Sequence, residues 1–145
     1  MLAETGIPPS SLRLEITETA MMEQLEAGTL ALNELKKLGV QISIDDFGTG
    51  YSSLARLHRF PIDSLKVDRS FVEVMGASGE TSRIARTIVM IGRSLGLAVI
   101  AEGVETARQL ALLRELECDA AQGYFFSRPL DGEVARNLIT IGRRW

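Results

Sequence analysis

The stretch "ISIDDFGTGYSSL", residues 42–54, decides the fold. Its first residues alternate isoleucine with other types, a pattern that indicates a strand with one buried face. Two adjacent acids, Asp45 and Asp46, end that strand, and a glycine-bracketed turn at residues 48–50 follows. Neighbouring negative charges near a buried strand repel each other, so the pair raises the question of what compensates them.

Composition places the chain among ordinary globular proteins. The 145 residues suffice for one domain with a core, and 46 % are hydrophobic and 24 % charged. The net charge of −3 comes without a basic block. This argues against binding to a nucleic acid polymer, because clustered Lys and Arg usually meet the phosphate backbone.

Cysteine usage and hydropathy bear on the compartment. Cys118 is the lone cysteine, which excludes an internal disulfide framework and suits reducing surroundings. No stretch reaches the roughly 18 apolar residues of a membrane span. The first residues lack the basic and apolar regions of a signal peptide. We expect a cytoplasmic domain, alone or within a larger membrane-attached signalling protein.

Short strands alternate with helices along the chain. The patterning predicts strands within residues 12–17, 40–46, 64–70, 97–105 and 120–129. It predicts helices over about 25–38, 52–58, 81–96 and 106–116, a last helix capped by Asp131, and a loop over 74–80. Thr106 with Gln109 forms a capping-box pattern. The apolar stripes expected to face the core are Ala31, Leu35 and Leu38; Ile84, Ile88, Ile91 and Leu95; and Val134 with Leu138.

Repeated βα units predict a parallel sheet, either open and doubly wound or part of a closed barrel. An open sheet is covered on both faces, so its strands are apolar on both. Here one face is apolar and the other polar. The second face holds Arg13 and Glu15, Ser43 and Asp45, Lys66 and Asp68, and Ile100 with Glu102. Polar groups crowded toward the carboxyl ends favour a barrel with a site at its mouth.

Charged and amide side chains recur at or just past the predicted strand ends. They are Glu15, Glu18, Asp45, Asp46, Lys66, Glu102, Glu105 and Gln122. Converging carboxylates repel unless a cation joins them, and oxygen-only ligands suit Mg²⁺ or Mn²⁺. Paired ions about 4 Å apart recur in phosphoester cleavage, where a lysine can offset phosphoryl charge.

Structural roles are open to the same side chains. The alternatives are an ion pair of Glu15 with Arg13 or Lys66, an ion pair of Lys66 with Asp68, helix N-terminal positions for Glu18 and Glu105, a loop cap for Asp45 and Asp46, and a backbone hydrogen bond for Gln122. A receiver-type phosphoacceptor domain also has five βα units, an acid pair and a lysine. Its lysine ends the last strand, whereas Lys66 precedes two further strands, so the order argues against it.

Five motifs occur in order: "LRLEITET", "IDDFGTGYSSL", "LKVDRSFV", "VIAEGVET" and "QGYFFSRP". Together they resemble the EAL-domain family of bacterial cyclic di-GMP phosphodiesterases, from about Leu2 to about Leu138. The resemblance implies a TIM-type barrel whose first strand runs antiparallel. It also implies hydrolysis of cyclic di-GMP to linear pGpG with two Mg²⁺ or Mn²⁺ ions.

The resemblance assigns the metal ligands by motif. Glu15 corresponds to a ligand of the first ion and Asp45 to a ligand that bridges both. Asp46 and Glu102 correspond to ligands of the second ion.

The remaining assignments concern water, substrate and the neighbouring loop. Lys66 corresponds to a lysine that contacts the attacking water or the phosphate. Glu105 and Gln122 correspond to residues that hold metal-bound water and the hydrogen bonds of the site. Glu18 corresponds to a glutamate that supports the loop over residues 47–54, which couples dimerisation to catalysis.

One departure from the family is large, because the Glu-Ala-Leu motif is absent. The implied fold is therefore α/β, the last five βα units of a TIM-type (β/α)8 barrel, with residues 1–145 a single truncated domain. A glutamate and an asparagine ligand of the first ion would be missing. We expect a phosphodiesterase domain that is inactive as this chain alone and is completed by its N-terminal half or by a homodimer partner. The alternative is a non-catalytic module that binds cyclic di-GMP or a protein.

Overall fold

The computed structural model describes residues 2–23, 25–48, 57, 60–75 and 80–142. Within those ranges one parallel sheet contains β1 (Arg13–Thr17), β2 (Gln41–Phe47), β3 (Ser64–Val67), β4 (Ala98–Ala101) and β5 (Ala120–Ala121). The helices there are α1 (Leu2–Thr5), α2 (Glu18–Glu23), α3 (Leu25–Lys37), α4 (Arg69–Glu73), α5 (Glu80–Ser94), α6 (Ala107–Glu115) and α7 (Gly132–Ile141), with a 3-10 turn at Pro9–Ser11. None of these helices is long and apolar enough to cross a membrane.

Strand order decides between the two candidate architectures. The strands lie side by side in chain order, from β1 to β5, and every pairing is parallel. A doubly wound sheet reverses its order at a switch point, which this sheet does not do. The sheet is thus an arc of a barrel, and the prediction of a partial TIM-type α/β fold is confirmed.

The two faces of the sheet differ as the sequence predicts. Isoleucine, leucine and valine of the central strands point to the helix-covered side and are fully buried; they are Ile42, Ile44, Leu65, Val67 and Val99. On the opposite face Ser43 and Ser64 are also fully buried, and the Ser64 hydroxyl donates to the Ser43 hydroxyl at 2.9 Å. Their mutual hydrogen bond satisfies two polar groups that would otherwise destabilise the interior.

Two strands end earlier than predicted. β3 stops at Val67 rather than at residue 70, because the Asp68 carboxylate accepts a hydrogen bond from the backbone N–H of Ser70 and caps α4. Asp68 therefore does not join Lys66 on the polar face. β4 covers Ala98–Ala101 instead of 97–105, which leaves the following acids on an irregular segment.

Each of the three predicted apolar stripes includes an exposed residue, although Ile88 is buried and Leu35 and Leu95 pack against the core as predicted. Leu38 is 60 % exposed, Ile84 44 % and Val134 46 %, although each was expected to face the core. The neighbouring positions Leu32 and Ala85 are buried instead. When a helix carries apolar residues on several of its faces, the sequence fits more than one buried stripe. Contact with the sheet then determines which of these stripes is buried.

Helix starts were predicted more reliably. Thr106 and Gln109 form the expected capping box, and the carboxylate of Asp131 accepts from the backbone N–H of Val134 at 2.9 Å. The helix expected over 52–58 and the loop over 74–80 lie mostly outside the described residues.

Candidate active site

Lys66 on β3 gathers carboxylates from three neighbouring segments. Its Nζ lies 2.7 Å from Oε2 of Glu15 on β1, 3.0 Å from Oδ1 of Asp45 on β2 and 2.6 Å from Oε1 of Glu102 just after β4. The Lys66 side chain is only 6 % exposed. Of the structural alternatives, the Glu15–Lys66 ion pair is present, whereas the guanidinium of Arg13 donates to Gln41 instead.

This cluster carries excess negative charge. Burial alone would lower the pKa of Lys66, but hydrogen bonds to Glu102, Glu15 and Asp45 outweigh it and raise that pKa above its ordinary value. The ammonium therefore stays charged. Three carboxylates and one ammonium leave two negative charges at the rim, which is an attractive place for a divalent cation.

The donor chemistry fits a hard cation. The ligand atoms on offer are carboxylate oxygens, which Mg²⁺ and Mn²⁺ prefer. Within the described ranges, however, no three acids, histidines or cysteines stand close enough together to enclose an ion by themselves. Charge and ligand type therefore suit a cation near Asp45 and Glu102, whose carboxylates the Lys66 ammonium holds together.

Backbone irregularity separates Asp46 from the regular strand. The β2–β3 register shifts between Ile44 and Phe47, and Asp46 has φ of 55°. Its N–H donates to Oδ1 of Asp45 at 3.1 Å, the local contact expected of a loop-capping acid. A regular strand sends consecutive side chains to opposite faces. The register shift interrupts that alternation at Asp46.

Glu18 supports the start of the loop after β2. This buried residue begins α2, and its Oε2 accepts from the backbone N–H of Gly48 at 3.0 Å. Gly48 has φ of +96°, and a Cβ there would lie 2.6 Å from Cδ1 of Ile88, so glycine is required. Glu18 thus occupies the helix N-terminal position given as a structural alternative, and it also makes the expected contact with the start of the loop. From residue 49 to 54 that loop lies outside the described part of the chain.

A cavity of about 420 Å³ adjoins the cluster, and Glu102, Glu105 and Gln122 all line it. Nε2 of Gln122 donates to Oε1 of Glu102 at 2.8 Å, so its amide binds a site carboxylate rather than the backbone. Glu105 immediately precedes the α6 cap, and its Oε1 lies 2.9 Å from Nη2 of Arg69.

Sequence reasoning missed three residues of this cavity. Arg69, Tyr124 and Arg128 line it, and the guanidinium carbon of Arg128 lies 5.0 Å from the centre of the Tyr124 ring. The available signals were an arginine two residues after the end of β3 and an aromatic residue inside "QGYFFSRP".

The family is established by comparison with known proteins. The family model described as EAL domain matches residues 1–129, and the chain therefore belongs to the EAL-domain family. The cyclic di-GMP phosphodiesterase NbdA of Pseudomonas aeruginosa is 52 % identical over 129 residues. Those residues are 89 % of this chain and 16 % of NbdA.

Solved structures agree with that family. The EAL domain of Mycobacterium smegmatis DcpA is 40 % identical, with a TM-score of 0.90 over 99 % of this chain and 65 % of that one. Klebsiella pneumoniae BlrP1, solved with manganese and cyclic di-GMP, is 37 % identical with a TM-score of 0.79. That match covers 88 % of this chain and 33 % of BlrP1. The chain thus spans less than a fifth of NbdA and less than two thirds of each of these structures.

Proposed function

We propose that these residues belong to a phosphodiesterase domain that hydrolyses cyclic di-GMP to linear pGpG with two divalent cations. The observation that carries the proposal is the cluster in which Lys66 meets Glu15, Asp45 and Glu102 with two negative charges in excess. The name of NbdA and the manganese and cyclic di-GMP in BlrP1 support the reaction, the metal class and the substrate.

The acids would hold the cations. Asp45 is proposed to bridge them, with Asp46 and Glu102 on the second ion and Glu15 on the first. When bound, the cations supply an activated water and neutralise charge on the phosphoryl oxygens. Mg²⁺ and Mn²⁺ are both suited to these ligands.

The other side chains would orient the reactants. Lys66 is held by its carboxylates. Its ammonium would offset negative charge that develops on a phosphoryl oxygen. Gln122 fixes the Glu102 carboxylate through its 2.8 Å hydrogen bond. Glu105 faces the cavity beside them and is proposed to hold metal-bound water.

The 145-residue chain by itself is proposed to have little turnover. The family resemblance implies a further glutamate and asparagine for the first ion, and Glu15 with a bridging Asp45 is an incomplete ligand set for a hard cation. The free edge of β1 would be covered by the N-terminal half of the barrel or by a second copy.

Chromatography of the nucleotide products tests the proposal. Protein made from the full coding sequence that contains these residues is expected to release pGpG with Mg²⁺ or Mn²⁺ and to stop with EDTA. Asp45→Asn should abolish turnover, whereas Glu34→Gln, which removes a charge paired with Lys37 on exposed α3, should not. Metal-independent turnover, or full activity of D45N, would contradict the proposal.

A non-catalytic binding module is the second candidate. The favouring observation is that no ion-enclosing group of acids forms within the described ranges. Calorimetry on the full-length protein discriminates between the two. Micromolar binding of cyclic di-GMP without product formation supports the module, and product formation rejects it.

A further inference from the structure

Arg69 pairs with two glutamates, of which Glu105 lines the cavity. It is the first residue of α4, three residues after Lys66 in the chain. Its Nε lies 2.6 Å from Oε1 of Glu73, and its Nη2 lies 2.9 Å from Oε1 of Glu105. The guanidinium therefore ties the Glu105 carboxylate to a fixed point on α4.

The backbone beside Arg69 is shaped to receive its aliphatic part. Gly103 has φ of +70°, and a Cβ there would lie 2.3 Å from Cγ of Arg69. A larger residue at this position would displace the arginine stem as well as strain the backbone. The stem of Arg69 therefore lies against the segment that joins Glu102 to Glu105, although its side chain as a whole is 53 % exposed.

A second contact locks the same segment to α4. Gln109, only 7 % exposed, accepts from the backbone N–H of Glu105 at 2.8 Å through Oε1. Its Nε2 donates to the carbonyl oxygen of Val72 at 3.2 Å. The backbone of Glu105 is thus anchored through Gln109, and its carboxylate through Arg69.

Most exposed ion pairs contribute little to stability. Arg93 illustrates the ordinary case, since it pairs with Glu117 and donates to the Leu116 carbonyl, away from the cavity. The Arg69–Glu105 pair differs in its position, because both residues line the cavity that Glu102 and Gln122 also line.

We propose that Arg69 is a positioning residue for the phosphodiesterase reaction, which orients the Glu105 carboxylate toward the cation site. This inference rests on the proposed function. The guanidinium offers two donors to two different glutamates, so a lysine at this position keeps the charge and loses one of the links. Arg69 acts through Glu105 and has no proposed contact with the reacting atoms.

Kinetics on the full-length protein test the inference. Arg69→Ala is expected to lower kcat about 10- to 100-fold, as removal of outer hydrogen-bond partners of metal sites does, with little change in KM. Arg69→Lys should recover part of the loss. The matched control Arg93→Ala should leave both constants unchanged, and thermal melts show whether each variant is folded.

A double-mutant cycle distinguishes an effect of Arg69 that acts through Glu105 from a general loss of structure. Under single-turnover conditions, Arg69→Ala added to Glu105→Gln should cost nothing further, because the side chain it orients no longer carries a charge. An equal loss in both backgrounds, or wild-type kcat in R69A and R69K, would overturn the role of Arg69 while leaving the phosphodiesterase activity standing. Absence of turnover by the unsubstituted protein would instead overturn the proposed function and this inference with it.

Discussion

Oε1 of Glu102 lies 2.6 Å from the ammonium nitrogen of Lys66, and the same oxygen accepts a hydrogen bond from Gln122. Glu102 is therefore held from two sides, by a strand residue and by a residue just after β5. A cation bound to this carboxylate would lie near the Lys66 ammonium and be repelled by it. The excess negative charge of the surrounding carboxylates offsets that repulsion.

Removing the ammonium should make stability depend on metal. Lys66→Met is expected to lower the free energy of unfolding by about 2 kcal/mol, because Glu15, Asp45 and Glu102 lose their common counter-charge. Mn²⁺ should restore part of this loss by binding the folded state. Urea denaturation of the 145-residue chain with and without Mn²⁺ measures both effects.

Lys36 provides a matched control for that experiment. It is a partly buried lysine that pairs with Asp63 at 2.5 Å. Lys36→Met should reduce stability by an amount that Mn²⁺ leaves unchanged. Equal rescue of both variants would show that the metal effect does not come from the Lys66 cluster.

The cap at Asp68 should give a pH-dependent contribution to stability. Burial alone would raise the pKa of Asp68, but hydrogen bonds from the Ser70 hydroxyl and backbone outweigh it and lower that pKa. Asp68→Ala should cost about 1 kcal/mol at neutral pH. Since the folded-state pKa is depressed, the contribution is complete above the unfolded-state pKa and is lost as pH falls through the folded-state value.

Denaturation curves of both proteins between neutral pH and pH 3 check the cap. The stability gap between wild type and D68A should narrow toward the acid end. A gap that stays constant or widens on acidification would contradict the assigned cap.

Truncation of a core side chain on β3 should lower the free energy of unfolding. Leu65 is fully buried, so Leu65→Ala should cost about 2–5 kcal/mol by leaving a cavity. Leu38 is 60 % exposed, and Leu38→Ala should change stability by less than about 0.5 kcal/mol. Comparable losses in both variants would contradict the burial of Leu65 and the exposure of Leu38.

Cys118 should react slowly with alkylating agents. Burial raises the pKa of its thiol, which reduces the fraction of reactive thiolate at a given pH. Labelling with iodoacetamide at pH 8 should be slower in the native chain than in urea. Equal rates would show that the thiol is exposed.

The sequence predicted the features that periodicity and order control. Alternation in "VQISIDD" predicted β2 and its two faces, and the recurrence of acids at strand ends predicted that Glu15, Asp45 and Glu102 converge with Lys66. Those predictions hold because a parallel sheet brings all of its carboxyl ends to one edge.

Other features depend on contacts that periodicity does not encode. β3 ends at Val67 because one side-chain cap at Asp68 competes with strand pairing. Contact with the sheet determines which apolar residues of α3 are buried. Leu32 is therefore buried, whereas Leu38, which was expected to face the core, is exposed. Arg69 was missed because its partner Glu105 lies 36 residues away in sequence, and nothing local marks the pair.

The central claim is that Asp45, Asp46 and Glu102 form a divalent cation site beside Lys66. Titration of the 145-residue chain with Mn²⁺, followed by the electron paramagnetic resonance of free Mn²⁺, tests it most directly. The account predicts one bound ion per chain, lost in the double variant Asp45→Asn with Glu102→Gln and retained in Glu34→Gln. No binding by the unsubstituted chain, or undiminished binding by the double variant, would contradict it.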